Sequence, residues 1–259
     1  MESSGNTTKK STLRGALFTA LLVLVGLAAG IGANLWKENL HVTQVRVEGN
    51  RIVPDREILR LAAVPGDERL FAIDLYAVRR RVEQNTFIRT AAVTREAPDG
   101  IAIAVEERTP IAAIGLPQLM YLDAEGTVLP PSRSEALVDL PVLTGDLSAE
   151  ALVPGRKITR NDVREAIDIL ATAKLVGDDL YHLISEIHCE SGKDLLLYTA
   201  EAGVSVVFGH GDVAMKLVKL DGFWREVVAQ RGAGDLRAVD LRFEDQVVVR
   251  WNERNTEAP

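Results

Sequence analysis

The sequence predicts an α+β chain: an N-terminal transmembrane helix, a β-α-α-β-β domain, then a mixed or antiparallel sheet domain with flanking helices. Three observations lead there. Gly15–Trp36 (GALFTALLVLVGLAAGIGANLW) runs for 22 residues without a charge. Beyond it, strand-like and helix-like hydrophobic periods follow one another in the order β-α-α-β-β. The second half holds short alternating runs separated by glycine-containing turns, and it closes on VDLRFEDQVVVRW.

The composition bounds the possibilities. A chain of 259 residues with 47% hydrophobic and 26% charged side chains can bury a substantial core in one or two domains. Its net charge is −7, without a basic cluster in the second half. Nucleic-acid binding needs a basic face, so that class is excluded. The single cysteine, Cys189, excludes an internal disulfide framework and reads as a small buried hydrophobe.

The uncharged run comes first. At ~1.5 Å per residue it spans about 33 Å, enough to cross a bilayer core of ~30 Å. Lys9, Lys10 and Arg14 precede it, and Trp36 stands at its far boundary. Positive charge inside predicts a cytoplasmic tail at residues 1–14, a span at 15–36 and export of the rest. A cleaved signal peptide is the rival reading, kept alive by the small residues Gly30, Gly32 and Ala33. Such peptides carry apolar regions of only ~7–15 residues. The run is too long, and no polar break precedes those glycines. Gly26 and Gly30 make a GxxxG match, which glycine-rich spans produce readily.

The first exported domain, about 40–113, follows. Val42–Val47 alternates and ends at the turn Glu48-Gly49-Asn50. Pro54 opens a helix with Ile58, Leu61 and Ala62 on one face, and Gly66 is expected to end it. Asp74 reads as the N-cap of a second helix carrying Leu75, Val78 and Val82. Ile88–Arg95 and Ile101–Glu107 are strands joined by the turn Ala97-Pro98-Asp99-Gly100.

The second domain, 114–251, holds a strand turn at Asp123-Ala124-Glu125-Gly126. A capping-box-like start at Thr159-Arg160-Asn161-Asp162 leads into a helix with Val163, Ile167, Leu170 and Ala171 inward. Ile184–Cys189, Leu195–Thr199 and Val204–Phe208 form a meander, and Met215–Val228 is helical. Val239, Leu241 and Phe243 then alternate into the turn Glu244-Asp245-Gln246, and Val247–Trp251 completes a hairpin. Residues 252–259 read as a disordered tail. The final strand has no later partner in sequence, and a valine-rich edge invites strand pairing unless covered.

Chemistry is sparse. Gly209–Ala214 (GHGDVA) fits the dinucleotide fingerprint, yet such a fold needs repeated βαβ units. A meander and a hairpin flank the motif instead, so it reads as a turn with Asp212 capping the next helix. His41, His182, His188 and His210 form no metal motif. Arg79-Arg80-Arg81 is a basic run, either a solvated helix face or a contact for lipid headgroups or an acidic partner. Phe223 and Trp224 read as core. No catalytic, cofactor or metal site is expected.

Several words are distinctive in combination. VRVEGNRIV and FIRTAAVTREAPDGIAIAVEERTPIA resemble a POTRA domain of the FtsQ/DivIB type, found in bitopic cell-division proteins. YLDAEGTVL, LPVLTG, GVSVVFG with KLVKL, and VDLRF with VVVRW resemble the later strands and helix of the same family. The tail after Trp251 is shorter than in some members. This resemblance implies a non-enzymatic divisome scaffold that binds the small coiled-coil proteins FtsB and FtsL, without cofactors. It also implies that the last strands are the docking surface. Phe243 and Trp251 fall at its aromatic anchors, Val247, Val248 and Val249 along its edge, and Arg242 and Lys193 beside it. The alternatives are a POTRA-containing protein of outer-membrane assembly or secretion, and an exported nucleotide-binding enzyme.

Overall fold

The computed structural model describes residues 19–32, 39–116, 118–132, 139–148 and 152–252. Two compact units emerge, one around a three-stranded sheet and one around a nine-stranded sheet. The short segments Arg51–Val53 and Asn85–Arg89 pack with the second.

Residues 19–32 form helix α1 with exposed leucines and valines. The two ends of the expected span, 15–18 and 33–36, lie outside the described residues, as do the expected tails at 1–14 and 253–259. Among the described residues, no helix is long and apolar enough to cross a membrane.

The first unit runs β1 (Gln44–Glu48), α2 (Asp55–Ala62), α3 (Leu75–Val82), β2 (Ile88–Glu96) and β3 (Gly100–Glu107). The sheet order is β1-β3-β2, with β1 parallel to β3 in the register Val45↔Ile101 and Val47↔Ile103. Ile58 and Ala62 of α2, Val78 and Val82 of α3, and Ile101 and Ile103 of β3 are all buried, so the apolar faces read from the sequence are the core faces. Asp74 caps α3 as expected, accepting from Tyr76 N at 2.9 Å and Ala77 N at 3.1 Å. The first helix ends earlier than Gly66 implied. Ala63 takes φ +44° and its N–H closes on Leu59 O, so the left-handed stop comes three residues sooner. Arg81 then covers that helix end, donating to Ala62 O at 2.6 Å. The strand expected from Val42 starts at Gln44, because Val42 N–H donates to Glu68 O instead. Gly49 (φ +87°) turns the chain where a side chain would collide with the Val105 carbonyl, which explains the glycine in VRVEGN.

The second unit comprises β4 (Pro110–Leu116), β5 (Gln118–Asp123), β6 (Val128–Leu129), β7 (Val142–Gly145), α4 (Asn161–Val176), α5 (Asp178–Leu183), β8 (Ile184–Cys189), β9 (Leu195–Thr199), β10 (Ser205–Gly209), α6 (Val213–Phe223), a π-helical turn (Trp224–Val228), α7 (Ala229–Arg231), β11 (Leu236–Asp240) and β12 (Val248–Trp251). Its sheet order is β12-β11-β10-β9-β8-β7-β4-β5-β6. The parallel pairs are β4–β7, β7–β8 and β10–β11; the other pairs are antiparallel. Helix α4 packs on β4, β8 and α6. Its Ile167 and Leu170 join Ile187, Leu197, Val206, Phe208, Leu217 and Leu220 in one core. Cys189 belongs to this core, and burial pushes its thiol up to about 12.

Three expectations are corrected. The capping box does not form: Arg160 occupies the N-cap without a side-chain cap, and Asp162 accepts from Val163 N and pairs with Arg160. The helix expected through Val228 widens into a π turn at Trp224. The first hairpin strand ends at Asp240, so Leu241 and Phe243 lie in the loop between β11 and β12.

The Glu-Arg-x-Pro segment has a physical account. Glu107 accepts the backbone N–H groups of Arg51, Ile52 and Val53 at 2.7–2.8 Å. Arg108 reaches the buried carboxylate of Asp123 at 2.8 Å. Asp123 in turn closes its own turn by accepting from Glu125 N and Thr127 N. Gly145 of LPVLTG takes φ +116° against the Cys189 backbone, an approach only glycine permits.

Candidate protein-docking edge

β12 is the last strand of the nine-stranded sheet, and among the described residues it pairs with β11 alone. The register sets Asp240↔Val248, Val239↔Val249 and Ala238↔Arg250. Two neighbouring hydrogen bonds fix which amides face inward. Leu241 N donates to Val207 O of β10, and Asn252 N donates to Asp235 O. Alternation then turns the N–H and C=O groups of Val248 and Arg250 toward β11 and those of Val249 and Trp251 outward. The edge therefore offers two donor–acceptor sets to an incoming strand.

The side chains divide by face. Val248 and Arg250 are exposed, whereas Val247, Val249 and Trp251 are partly buried against the core. The guanidinium of Arg231 lies 3.9 Å from the Trp251 ring centroid, so this indole already has a cationic partner. Phe243 is 45% exposed, and it sits on the loop beside the edge rather than on a strand. That loop is held from below: Lys219 of α6 donates to both Phe243 O and Glu244 O at 2.9 Å.

Arg242 is the electrostatic centre of the loop. It contacts Asp240 at 2.6 Å and Asp194 at 3.0 Å. Its hydrogen bonds, with its charge behind them, hold the Asp240 carboxyl below the usual carboxylate range, and the bonds it donates to Asp240 and Asp194 hold the guanidinium above its ordinary value. Lys193 stands next to Asp194 in sequence, but its ammonium pairs with Glu190 at 2.6 Å. The structure thus brings Arg242, Phe243, Val247, Val248, Val249 and Trp251 to one sheet edge and leaves Lys193 one residue from the acid that joins Arg242. Sequence reading missed Asp194, Asp240 and Lys219. Asp240 was discoverable from its i,i+2 spacing to Arg242, whereas the other two are brought in by tertiary packing.

The GHGDVA turn is not an open cradle. Glu165 of α4 takes the Gly211 N–H at 2.6 Å, His210 bonds Glu165 at 2.7 Å, and Lys216 donates to His210 O. A carboxylate thus sits where a pyrophosphate would. Asp212 occupies the N-cap of α6 in a left-handed conformation (φ +49°) without a side-chain cap, which corrects its expected role. The Arg79-Arg80-Arg81 run is partly structural, since Arg79 pairs with Glu83 and Arg81 closes α2. Among the described residues, no group of His, Cys, Asp or Glu is placed to hold a metal ion.

The fold is that of a POTRA-containing protein with a second, open nine-stranded sheet domain. The family model described as POTRA domain, FtsQ-type matches residues 40–108, and that described as FtsQ/DivIB, C-terminal related matches 109–249. The chain is similar to proteins named cell division protein FtsQ. For that of Rhodothermus marinus the identity is 35% over 251 residues, 93% of this chain and 89% of the relative. For Salinibacter ruber it is 32% over 243 residues, 90% and 91%, and for Geotalea daltonii 29% over 248 residues, 93% and 87%. The chain belongs to the FtsQ family of cell-division proteins.

Proposed function

We propose that this protein is a non-enzymatic divisome scaffold whose exported part binds FtsB and FtsL and helps recruit and regulate septal peptidoglycan synthesis. In this reading residues 1–14 are cytoplasmic, 15–36 anchor the chain in the cytoplasmic membrane at the septum, 40–113 form the POTRA domain and 114–251 the FtsQ-type β domain. The observation that carries it is the β12 edge, whose outward amides at Val249 and Trp251 support β-strand addition. Backbone bonds would supply affinity, and Phe243, Val248 and Arg242 would read the partner's side chains. FtsB is the strand donor, with Arg242 facing an acidic residue.

The alternatives are less well supported. An outer-membrane assembly role rests on the POTRA module alone, while the rest of the chain has its own family match. A nucleotide enzyme rests on GHGDVA, whose N–H is taken by Glu165.

Co-purification of the full chain with FtsB and FtsL tests the proposal. A stable complex that is lost in Phe243→Ala is expected. A complex that forms fully with Phe243→Ala and Val249→Pro combined would place docking elsewhere.

A further inference from the structure

Two aromatic side chains of the first unit stand in solvent, Phe71 at 49% and Tyr76 at 65% exposure. Each is paired with an arginine. The Arg95 guanidinium lies 5.3 Å from the Phe71 ring centroid, and that of Arg80 5.9 Å from the Tyr76 centroid. Arg95 is fixed by donating to the carbonyls of Leu70, Phe71 and Ile73. Asp74 caps α3 and so places Tyr76 in its first turn, with Arg79 and Arg80 at i+3 and i+4 on the same face. Residues 69–81 carry four arginines and one acid, in a chain of net charge −7. Asp67 and Glu68 precede the segment, and Glu83 is paired to Arg79.

The backbone ties this segment to the start of the exported chain. Leu70 N–H donates to Leu40 O at 2.7 Å, and Val42 N–H to Glu68 O at 3.2 Å. Leu40 is four residues past Trp36, a reach of at most roughly 14 Å. Phe71 therefore follows directly on a residue bonded to Leu40, only four residues beyond the uncharged run in sequence.

We propose that Phe71 and Tyr76, flanked by Arg69, Arg80 and Arg95, seat the first exported domain on the surface of a bilayer containing anionic phospholipid. The proposal rests on the reading of Gly15–Trp36 as a retained membrane span. Aromatic rings prefer the interfacial layer, and arginines within a Debye length of anionic headgroups are attracted to them. An acidic protein could use the same charges. The short tether favours lipid, because it keeps the patch beside the headgroups whether or not a protein is present.

The test uses the full chain in nanodiscs, with an environment-sensitive fluorophore on Ala72→Cys and, separately, on Leu24→Cys and Glu201→Cys. Cys189 is buried and will not take the label. In phosphatidylglycerol-containing discs the Ala72 label should be blue-shifted and quenched by headgroup-region nitroxide lipid, while the Glu201 label is not. Phe71→Ser/Tyr76→Ser should abolish this without changing the melt. Each of Arg69→Gln and Arg80→Gln should raise the undocked-to-docked ratio roughly fivefold. An Ala72 label as wet as the Glu201 label, with the Leu24 label quenched by deep bromolipid, would overturn the docking while leaving the anchor intact. A Leu24 label that escapes deep quenching would overturn the anchor and the docking with it. A blue shift of the Ala72 label without lipid quenching, seen only after an acidic division protein is added, would replace lipid with that protein.

Discussion

The imidazole of His210 lies between two groups that only accept, Glu165 at 2.7 Å and the Lys193 carbonyl at 3.0 Å. Satisfying both requires a proton on each ring nitrogen. The Glu165 contact accordingly raises the His210 pKa, against a smaller opposing effect of burial. A raised folded value contributes stability that is complete below the unfolded value of ~6.5 and is lost as pH rises through the folded value. The melting temperature should therefore fall as pH rises from ~6.5 through the raised folded value, and His210→Gln should flatten that fall; a thermal melt series checks it. Asp240 behaves in the opposite sense. Its pKa is lowered by Arg242, so its contribution is present above ~3.9 and lost as pH falls through the depressed value. The two aromatic positions at the edge also separate. Phe243 is exposed, so Phe243→Ala should move stability by no more than ~0.5 kcal/mol. Trp251 packs on the core and stacks with Arg231, so Trp251→Ala should cost about 1–3 kcal/mol. Both should weaken FtsB binding at least about 30-fold, the scale of ~2 kcal/mol expected of an aromatic anchor. Calorimetric melts beside a binding titration distinguish the two residues.

Strand β12 makes a sharper pair of substitutions available. Val249 N–H points outward, so Val249→Pro removes a donor that the free protein does not use in its ladder. Val248 N–H faces Asp240, so Val248→Pro breaks a ladder bond. Val249→Pro should abolish docking with the melt nearly unchanged, whereas Val248→Pro should lower the melt as well. The same element shows where sequence reading succeeds and stops. Strands with alternating faces and glycine turns, such as β2, β3, β8 and β9, are legible to within a residue. β4 (PIAAIGL) carries no alternation, because Ile111, Ala112, Ala113 and Ile114 are all buried. Alternation also misled at Phe243: Leu241 is buried and its N–H continues the bond to β10, but the ladder to β12 has already ended at Asp240.

At the scale of the molecule, the β-α-α-β-β order follows from local patterns, since each helix and hairpin carries its own cap or turn. The nine-strand order does not. β4–β7, β7–β8 and β10–β11 are parallel pairs joined by long connections, and nothing local in the sequence encodes them. That β12 is an edge rests on its pairing with β11 alone among the described residues, and that its amides at 249 and 251 face outward required β10 and Asp235. In the proposed complex a partner strand completes this sheet. Residue-resolved amide hydrogen exchange, measured with and without FtsB, tests it most directly. Val249 and Trp251 should exchange readily in the free protein and become protected in the complex, while Val248 and Arg250 are protected in both. A complex in which Val249 and Trp251 still exchange freely while protection appears elsewhere would contradict it.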